Sequence, residues 1–213
     1  MRQTNGDTPS RILMKIELNN IKWVLLFVVQ TTMSCATDSS SKEKLEVVTH
    51  SQFDEFVKKT GYITDAEEFG WSIVQKDVFN FSKVGGADWK KPDGRNSPES
   101  EDLPVTQISY NDAIAYCEWS GSRLPTYNEY WRLIEEDKRK VITDNNGPIT
   151  AANKVNILGN VWEITTTENN GNIRLAGGSL FCSPNTCHGT TMERELYVDK
   201  QTANVHIGFA VIH

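Results

Sequence analysis

The sequence carries no surplus of cationic side chains: 22 Lys and Arg stand against 28 Asp and Glu, a formal net charge of −6, with a pI near 5.3. Gripping a phosphate backbone needs Lys and Arg gathered on one face, so nucleic-acid binding is excluded as a class. Histidine is scarce as well. His50, His188, His206 and His213 are the whole set, and none is followed four residues later by Glu, which disfavours non-heme iron chemistry built on that spacing. The chain lacks a zinc motif, a Gly-x-Ser-x-Gly elbow and a phosphate-cradling glycine loop, which removes the serine hydrolase and nucleotide-binding readings. It shows no internal repeat. Its apolar run Trp23–Val29 is far shorter than the about 20 residues needed to cross a bilayer.

What is present suits a globular protein. A chain of 213 residues, 38% hydrophobic and 23% charged, is long enough for one domain with a core. Lys15 and Lys22 precede the apolar run, and small and polar residues follow it up to Cys35, the layout of a secretory signal with Met14 as a start. Thr32-Met33-Ser34-Cys35 resembles a lipoprotein cleavage box in which Cys35 becomes the lipid-bearing residue; the other reading is an ordinary cleaved signal. The expectation is an export segment at 1–35, a polar linker at 36–45 and a domain at 46–213, working in the periplasm or at the cell surface, with the membrane reached only through Cys35.

Cysteine usage is sparse and uneven. Cys35, Cys117, Cys182 and Cys187 make up the set. Cys117 lies in Asp112–Trp119, whose apolar spacing is that of an amphipathic helix, so it reads as a small buried hydrophobe. Cys182 and Cys187 stand five positions apart after Gly177-Gly178-Ser179, on a loop punctuated by Pro184. Such a pair implies a disulfide, a soft metal or redox chemistry.

Along the domain, Gln52 to Thr60 predicts a short helix with Phe53, Phe56 and Val57 on one face, ended by Gly61-Tyr62. From there a long loop is expected; Gly70 to Leu103, rich in Gly, Pro, Asp and Ser, reads as loops ordered by aromatic anchors such as Trp71 and Trp89. Asn111 or Asp112 is expected to cap the helix carrying Cys117, and Thr126 a second helix from Tyr127 to about Lys140. The stretch Glu135–Lys140 reads as a solvated helix end. Short apolar runs from Asn145 to His213, broken by Asn-Gly, Gly-Gly and Pro, predict bends and weak strands. The class is α+β with a high loop fraction.

Several blocks carry a family resemblance. Thr60-Gly61-Tyr62 through Gly70, Gly86-Ala87-Asp88-Trp89, Pro104 through Cys117, Arg123-Leu124-Pro125-Thr126, Gly159-Asn160-Val161-Trp162-Glu163, Gly177-Gly178-Ser179 and Ile207-Gly208-Phe209 resemble the formylglycine-generating enzyme (sulfatase-modifying factor) family in order and spacing. The resemblance covers residues from about 46 to the C-terminus. It implies a loop-rich, C-type-lectin-like α+β fold, here trimmed at its N-terminal side before Glu46-Val47-Val48-Thr49.

It also implies chemistry. In the family the cysteine pair binds copper and oxidises, with O2, a cysteine of a partner's sulfatase-type Cys-x-Pro-x-Arg motif to formylglycine. By that resemblance Cys182 and Cys187 would hold Cu(I), Ser179 matches an active-site serine and Trp162 a pocket-walling tryptophan. Read alone, Ser179 is equally a turn hydroxyl after two glycines. A structural Ca2+ is implied through the side chains of Asn156 and Glu163 and the backbone carbonyls of Gly159 and Val161; the other reading is that Asn156 and Glu163 cap turns. The family's other calcium site has no counterpart, the stretch before Asn156 being shortened to little more than Asp144–Pro148, and His188–Arg194 replaces an Arg- and Tyr-rich part of the substrate groove. Val211 stands where animal members place a cysteine that pairs with the one matching Cys117. A non-catalytic surface lipoprotein of the same fold, acting as a binding or assembly module, is the second function the resemblance allows.

Overall fold

The computed structural model describes residues 43–77, 79–137, 158–181 and 190–213. The export segment 1–35 and most of the linker lie outside the described residues, as do Asn156, Cys182 and Cys187. Among the described residues no helix is long and apolar enough to cross a membrane.

The described residues form, in order, β1 (Glu46–Val47), α1 (His50–Thr60), α2 (Asp65–Phe69), β2 (Trp71–Gln75), β3 (Phe81–Gly85), α3 (Tyr110–Ser120), α4 (Tyr127–Asp137), β4 (Trp162–Asn169), β5 (Asn172–Ala176), β6 (Tyr197–Val198), β7 (Ile207–Gly208) and β8 (Ala210–Val211). The main sheet has the order β6-β5-β4-β7, antiparallel except where β4 runs parallel to β7; β1 pairs with β8, and β2 with β3. The α+β class and the weak C-terminal strands agree with the reading of the sequence.

Helix starts are set by reciprocal capping. Thr49, Thr64 and Ser109 each accept a hydrogen bond from the backbone N–H three residues on, while the side chains of Gln52, Glu67 and Asp112 reach back to the cap backbone. This pattern satisfies two otherwise orphaned donors at once. It corrects two expectations. The helix carrying Cys117 is capped by Ser109, with Asp112 in its first turn, and the chain after Tyr62 is not all loop, because Thr64 and Glu67 start α2. Thr126 does cap α4, accepting from Glu129 N while Glu129 accepts from Thr126 N.

The caps of α2 and α3 are knotted together. Asp112 accepts from Tyr62 Oη and from Asp65 N, and Asp65 accepts from Ser109 Oγ and Asn111 Nδ2. Burial pushes the Asp112 carboxyl up to about 6, against backbone hydrogen bonds that favour its anion.

Two apolar clusters flank the sheet. Phe53 and Phe56 of α1, Tyr116 and Cys117 of α3, Trp89 and Phe209 meet Trp162, Ile164, Ile173 and Leu175 in the first. Ring centroids in its aromatic part lie 5.3–6.3 Å apart, mostly edge to face, the arrangement aromatic quadrupoles prefer. Each such side chain fully withdrawn from water stabilises the fold by about 1.5–3 kcal/mol before the entropy of ordering it is counted. Cys117 is buried and free, the small hydrophobe its helix spacing implied. The second cluster takes Tyr127, Tyr130, Trp131 and Ile134, one face of α4 at helical spacing, with Leu158, Ala176 and Ala210.

Residues 70–103, read as loops, contain the β2–β3 hairpin. The aromatic anchoring expected there holds for Trp89, which is buried, whereas Trp71 is half-buried with Lys83 Nζ 3.9 Å from its ring centre. Gln107, at φ 62° and buried, fixes β2: its side chain accepts from Ser72 Oγ and donates to Pro92 O, while its N–H donates to Asn204 O. The strain of a left-handed non-glycine residue is tolerated because its hydrogen bonds specify the position. On the sheet's other edge a Cβ at Gly208 would lie 2.4 Å from the Val105 carbonyl oxygen, so β7 meets that neighbouring chain backbone to backbone.

Candidate functional site

Successive residues of a strand face opposite ways, and the start of β4 uses both directions. Trp162 belongs to the first apolar cluster, whereas the next residue, Glu163, bonds Tyr130 of the second. One strand therefore presents the expected pocket wall on one face and the expected calcium ligand on the other.

Trp162, Ser179 and Phe181 line one cavity of about 340 Å³ between the β2–β3 hairpin and the main sheet. Ile73 and Phe81 contribute from the hairpin, Leu175 and Val198 from the sheet. Ser179 is 1% exposed and its Oγ accepts from Phe181 N at 3.4 Å, so the hydroxyl both closes the turn and borders the cavity. Phe181 is the residue before Cys182, which with Cys187 lies outside the described residues. Among the described residues no group of three His, Cys, Asp or Glu side chains stands ready to hold a metal ion.

On the other face, Glu163 is fully buried, and one of its oxygens accepts from Tyr130 Oη at 3.1 Å. A Cβ at Gly177, whose φ is +84°, would stand 2.2 Å from that oxygen and 2.3 Å from the tyrosine hydroxyl. The first glycine of the Gly-Gly-Ser block is therefore fixed twice, by its backbone conformation and by the carboxylate it must clear. Gly159 N donates to Gly177 O and Leu180 N to Asn160 O, so residues 159–163 and 177–180 are laced together. Gly159, Val161 and Glu163 are all buried; Asn156, the fourth expected ligand, is outside the described residues.

Sequence reasoning passed over two cavity residues. His206, 4% exposed, bonds Gln75 Oε1 through Nε2, stands edge to face with Phe181 at 5.2 Å, and accepts from Trp162 N through its carbonyl. It thereby ties the hairpin roof to the floor of the cavity. No spacing marks it out, since its partners are 131 residues away for Gln75 and 25 to 44 away for the others by chain number.

Burial lowers the His206 imidazole from 6.5 to about 4. The folded state therefore resists protonation more than the unfolded chain does, so this residue's contribution is complete above pH 6.5 and is lost as pH falls toward 4. The gap corresponds to about 3 kcal/mol at neutral pH. Asp112, raised to about 6, acts in the opposite sense over part of this window, so the share of His206 is read as a difference: by denaturant unfolding, His206→Asn, which keeps a polar group but does not titrate, is expected to gain stability relative to the wild type as pH falls from 7 to 4, and a constant difference between the two proteins would overturn the assignment.

Comparison with known proteins fits this arrangement. Residues 43–133 match the family model of the sulfatase-modifying factor enzyme 1-like domain. The formylglycine-generating enzyme of Bos taurus is 38% identical over 101 residues, 39% of this chain and 27% of that protein. That of Mycobacterium tuberculosis is 27% identical over 252 aligned positions, 78% of this chain and 84% of that protein. The inactive C-alpha-formylglycine-generating enzyme 2 of Mus musculus is 40% identical over 100 residues, 39% of this chain and 32% of that protein. The chain thus aligns with only about a third or less of the two mammalian relatives. PvdO from Pseudomonas aeruginosa shares the fold, with a TM-score of 0.54 at 13% identity, over 78% of this chain and 77% of that one. The matched domain and these relatives agree in their direction: residues 43–133 carry the sulfatase-modifying factor enzyme 1-like domain, and the chain is similar to formylglycine-generating enzymes.

Proposed function

We propose that this chain is a copper-dependent oxidase that converts a cysteine in a sulfatase-type motif of a partner protein to formylglycine, with O2 as oxidant. The observation that carries the reading is the convergence of Trp162 and Ser179 on one cavity whose wall leads through Phe181 into Cys182. Cys182 and Cys187 would hold the metal, since two thiolates suit a soft monovalent ion. Copper, when bound, supplies a centre that takes up sulfur ligands and activates oxygen.

The described residues have their own tasks. Trp162, Leu175 and Ile73 form dry walls that keep water from a bound peptide and strengthen the polar contacts it makes. Ser179 fixes the turn from which the cysteine loop departs and offers the cavity a hydroxyl that can donate or accept. The His206–Gln75 bond holds the roof over the site.

The oxygen set at Glu163, Gly159 and Val161 suits a hard cation, and we assign it to Ca2+ together with Asn156. A buried carboxylate is costly unless compensated, and bound calcium compensates it. Glu163 would then link metal binding to the geometry of Gly177 through their close approach.

A second reading, a non-catalytic binding or assembly module, is favoured by one observation: the chain is as similar to the inactive mouse protein, 40% identical over 100 residues, as to the formylglycine-generating enzymes of comparable match.

Two measurements test these readings. Reduced, copper-loaded protein incubated with O2, a thiol reductant and a Cys-x-Pro-x-Arg peptide is expected to yield the aldehyde product by mass spectrometry, and Cys182→Ala to abolish it; an unmodified peptide with copper-loaded wild type favours the binding module. For calcium, added Ca2+ is expected to raise the melting temperature of the wild type by several degrees over a chelated sample, with the shift absent in Glu163→Gln. An equal shift in both proteins would remove Glu163 from the ligand set.

A further inference from the structure

Alternate residues of a strand share a face, and on β2 the partly exposed Trp71, Ile73 and Gln75 take one face while Ser72 and Val74 are buried. Gln75 lines the 340 Å³ cavity, Trp71 lines an adjoining cavity of about 250 Å³, and Ile73 lines both. The facing wall continues in the same way. Leu196 and Val198 border the first cavity, Asp199 and Ala203 border the second, and Thr202 borders both. Hydrogen bonds from Ser72 Oγ to Ala203 O and from Val205 N to Ile73 O tie the two walls together. The cavities are therefore two stretches of one trough. Along β2 the step from Trp71 to Gln75 is about 13 Å, the span of about four extended residues.

The second stretch has its own character. Ala66 and Ala203, both buried, leave depth that larger side chains would fill, and at its mouth the rings of Phe69 and Trp71 stack with centres 6.0 Å apart. Phe69 is 44% exposed. Apolar rings gathered at a hollow, unlike a lone exposed ring, mark a contact site. The charged groups beside it are already engaged within the chain. Lys83 Nζ lies 3.9 Å from the centre of the Trp71 ring, and the Asp199 carboxylate accepts from Gln201 N and Thr202 Oγ1 within its own turn. What is left for an incoming group is apolar. The volume is smaller than the roughly 300–1,000 Å³ pockets of drug-sized ligands and suits one large side chain.

We propose that this second stretch reads the partner segment outside its sulfatase-type motif, taking one large apolar side chain that flanks the motif within about four residues. The inference rests on the proposed function for its occupant, a partner segment lying in the first cavity. Phe69 and Trp71 close over the side chain, and the preference comes from withdrawing it from water, not from charge.

Binding tests this separately from oxidation. Fluorescent peptides carry Ser-Ala-Pro-Ala-Arg, with Ser in place of the target cysteine, between serine flanks, and a single Phe is moved through both flanks one position at a time. Each is titrated with full-chain protein and read by anisotropy. One placement is expected to bind about tenfold more tightly than the peptide with serine flanks alone, the low end for burying a large apolar side chain. The gain should persist at about 1 M salt, which screens charge. It should fall away when Lys or Glu replaces that Phe, and vanish in Phe69→Ala while Phe69→Leu keeps most of it. Phe69 is exposed at the end of α2, so both variants are expected to fold, which circular dichroism checks. Measurable binding of the serine-flanked peptide with no gain at any placement overturns the inference and leaves the proposed function untouched. A gain matched by Lys or Glu, a gain unaltered in Phe69→Ala, or failure of every peptide to bind overturns it as well. The expected gain in protein that does not oxidise the cysteine form of the same peptide upholds the inference and removes the oxidase chemistry.

Discussion

The arrangement of the site depends on a buried carboxylate. Glu163 lies wholly out of water beside Tyr130, and the Gly177 backbone passes so close that no side chain fits between them. Withdrawing a carboxylate from water costs several kcal/mol unless hydrogen bonds or a cation offset it, so this spot tolerates few other residues. What it fixes lies on both sides. The strand carrying Glu163 carries Trp162 on its opposite face, and the chain pressed against Glu163 continues into Ser179 and the cysteine loop. The candidate calcium set and the candidate oxidase site are therefore two faces of one packing arrangement. A disturbance of the carboxylate would be felt in the cavity without touching a residue that lines it.

Around that arrangement the fold supplies a floor and a roof. The floor is the four-stranded sheet, stiffened by aromatic packing of α1 and α3 and by the Asp65–Asp112 cap knot. The roof is a hairpin whose second strand is largely exposed, pinned at three places: Gln107 to Ser72, Asn204 to Ile73, and His206 to Gln75. Few contacts and a solvent-facing strand mark it as the part of the cavity that deforms most easily when a peptide enters.

Much of this was legible in the sequence, and for local reasons. Apolar spacing marks the faces of α1 and α3, and the buried state of Cys117 follows from its place on one of them; for α4 the sequence marks the cap and the extent. Thr126 is a cap legible in the sequence, and it shares with Glu129 the pairing of hydroxyl and carboxylate three residues apart; the same signature at Thr64 and Glu67 starts α2 where a loop is expected, and at Ser109 and Asp112 it starts α3 ahead of the expected cap at Asn111 or Asp112. The β2–β3 hairpin was illegible because Phe81-Ser82-Lys83-Val84-Gly85 is mostly exposed and lacks apolar alternation; main-chain pairing and Gln107 hold it. Trp162 and Ser179 were found through their blocks, and both border the cavity. His206 and Gln75 were not, because their roles come from a long-range contact that no local spacing encodes.

The central proposal is that Cys182 and Cys187 hold copper between two thiolates. Anaerobic titration of the reduced full chain with Cu(I) against a competing chelator, with thiols counted by alkylation, tests it most directly. The account predicts one copper per chain, Cys182 and Cys187 both shielded from the alkylating reagent, and loss of uptake when either becomes alanine. Freshly prepared protein in which those two cysteines are already joined, and which takes up no copper after mild reduction, would contradict it.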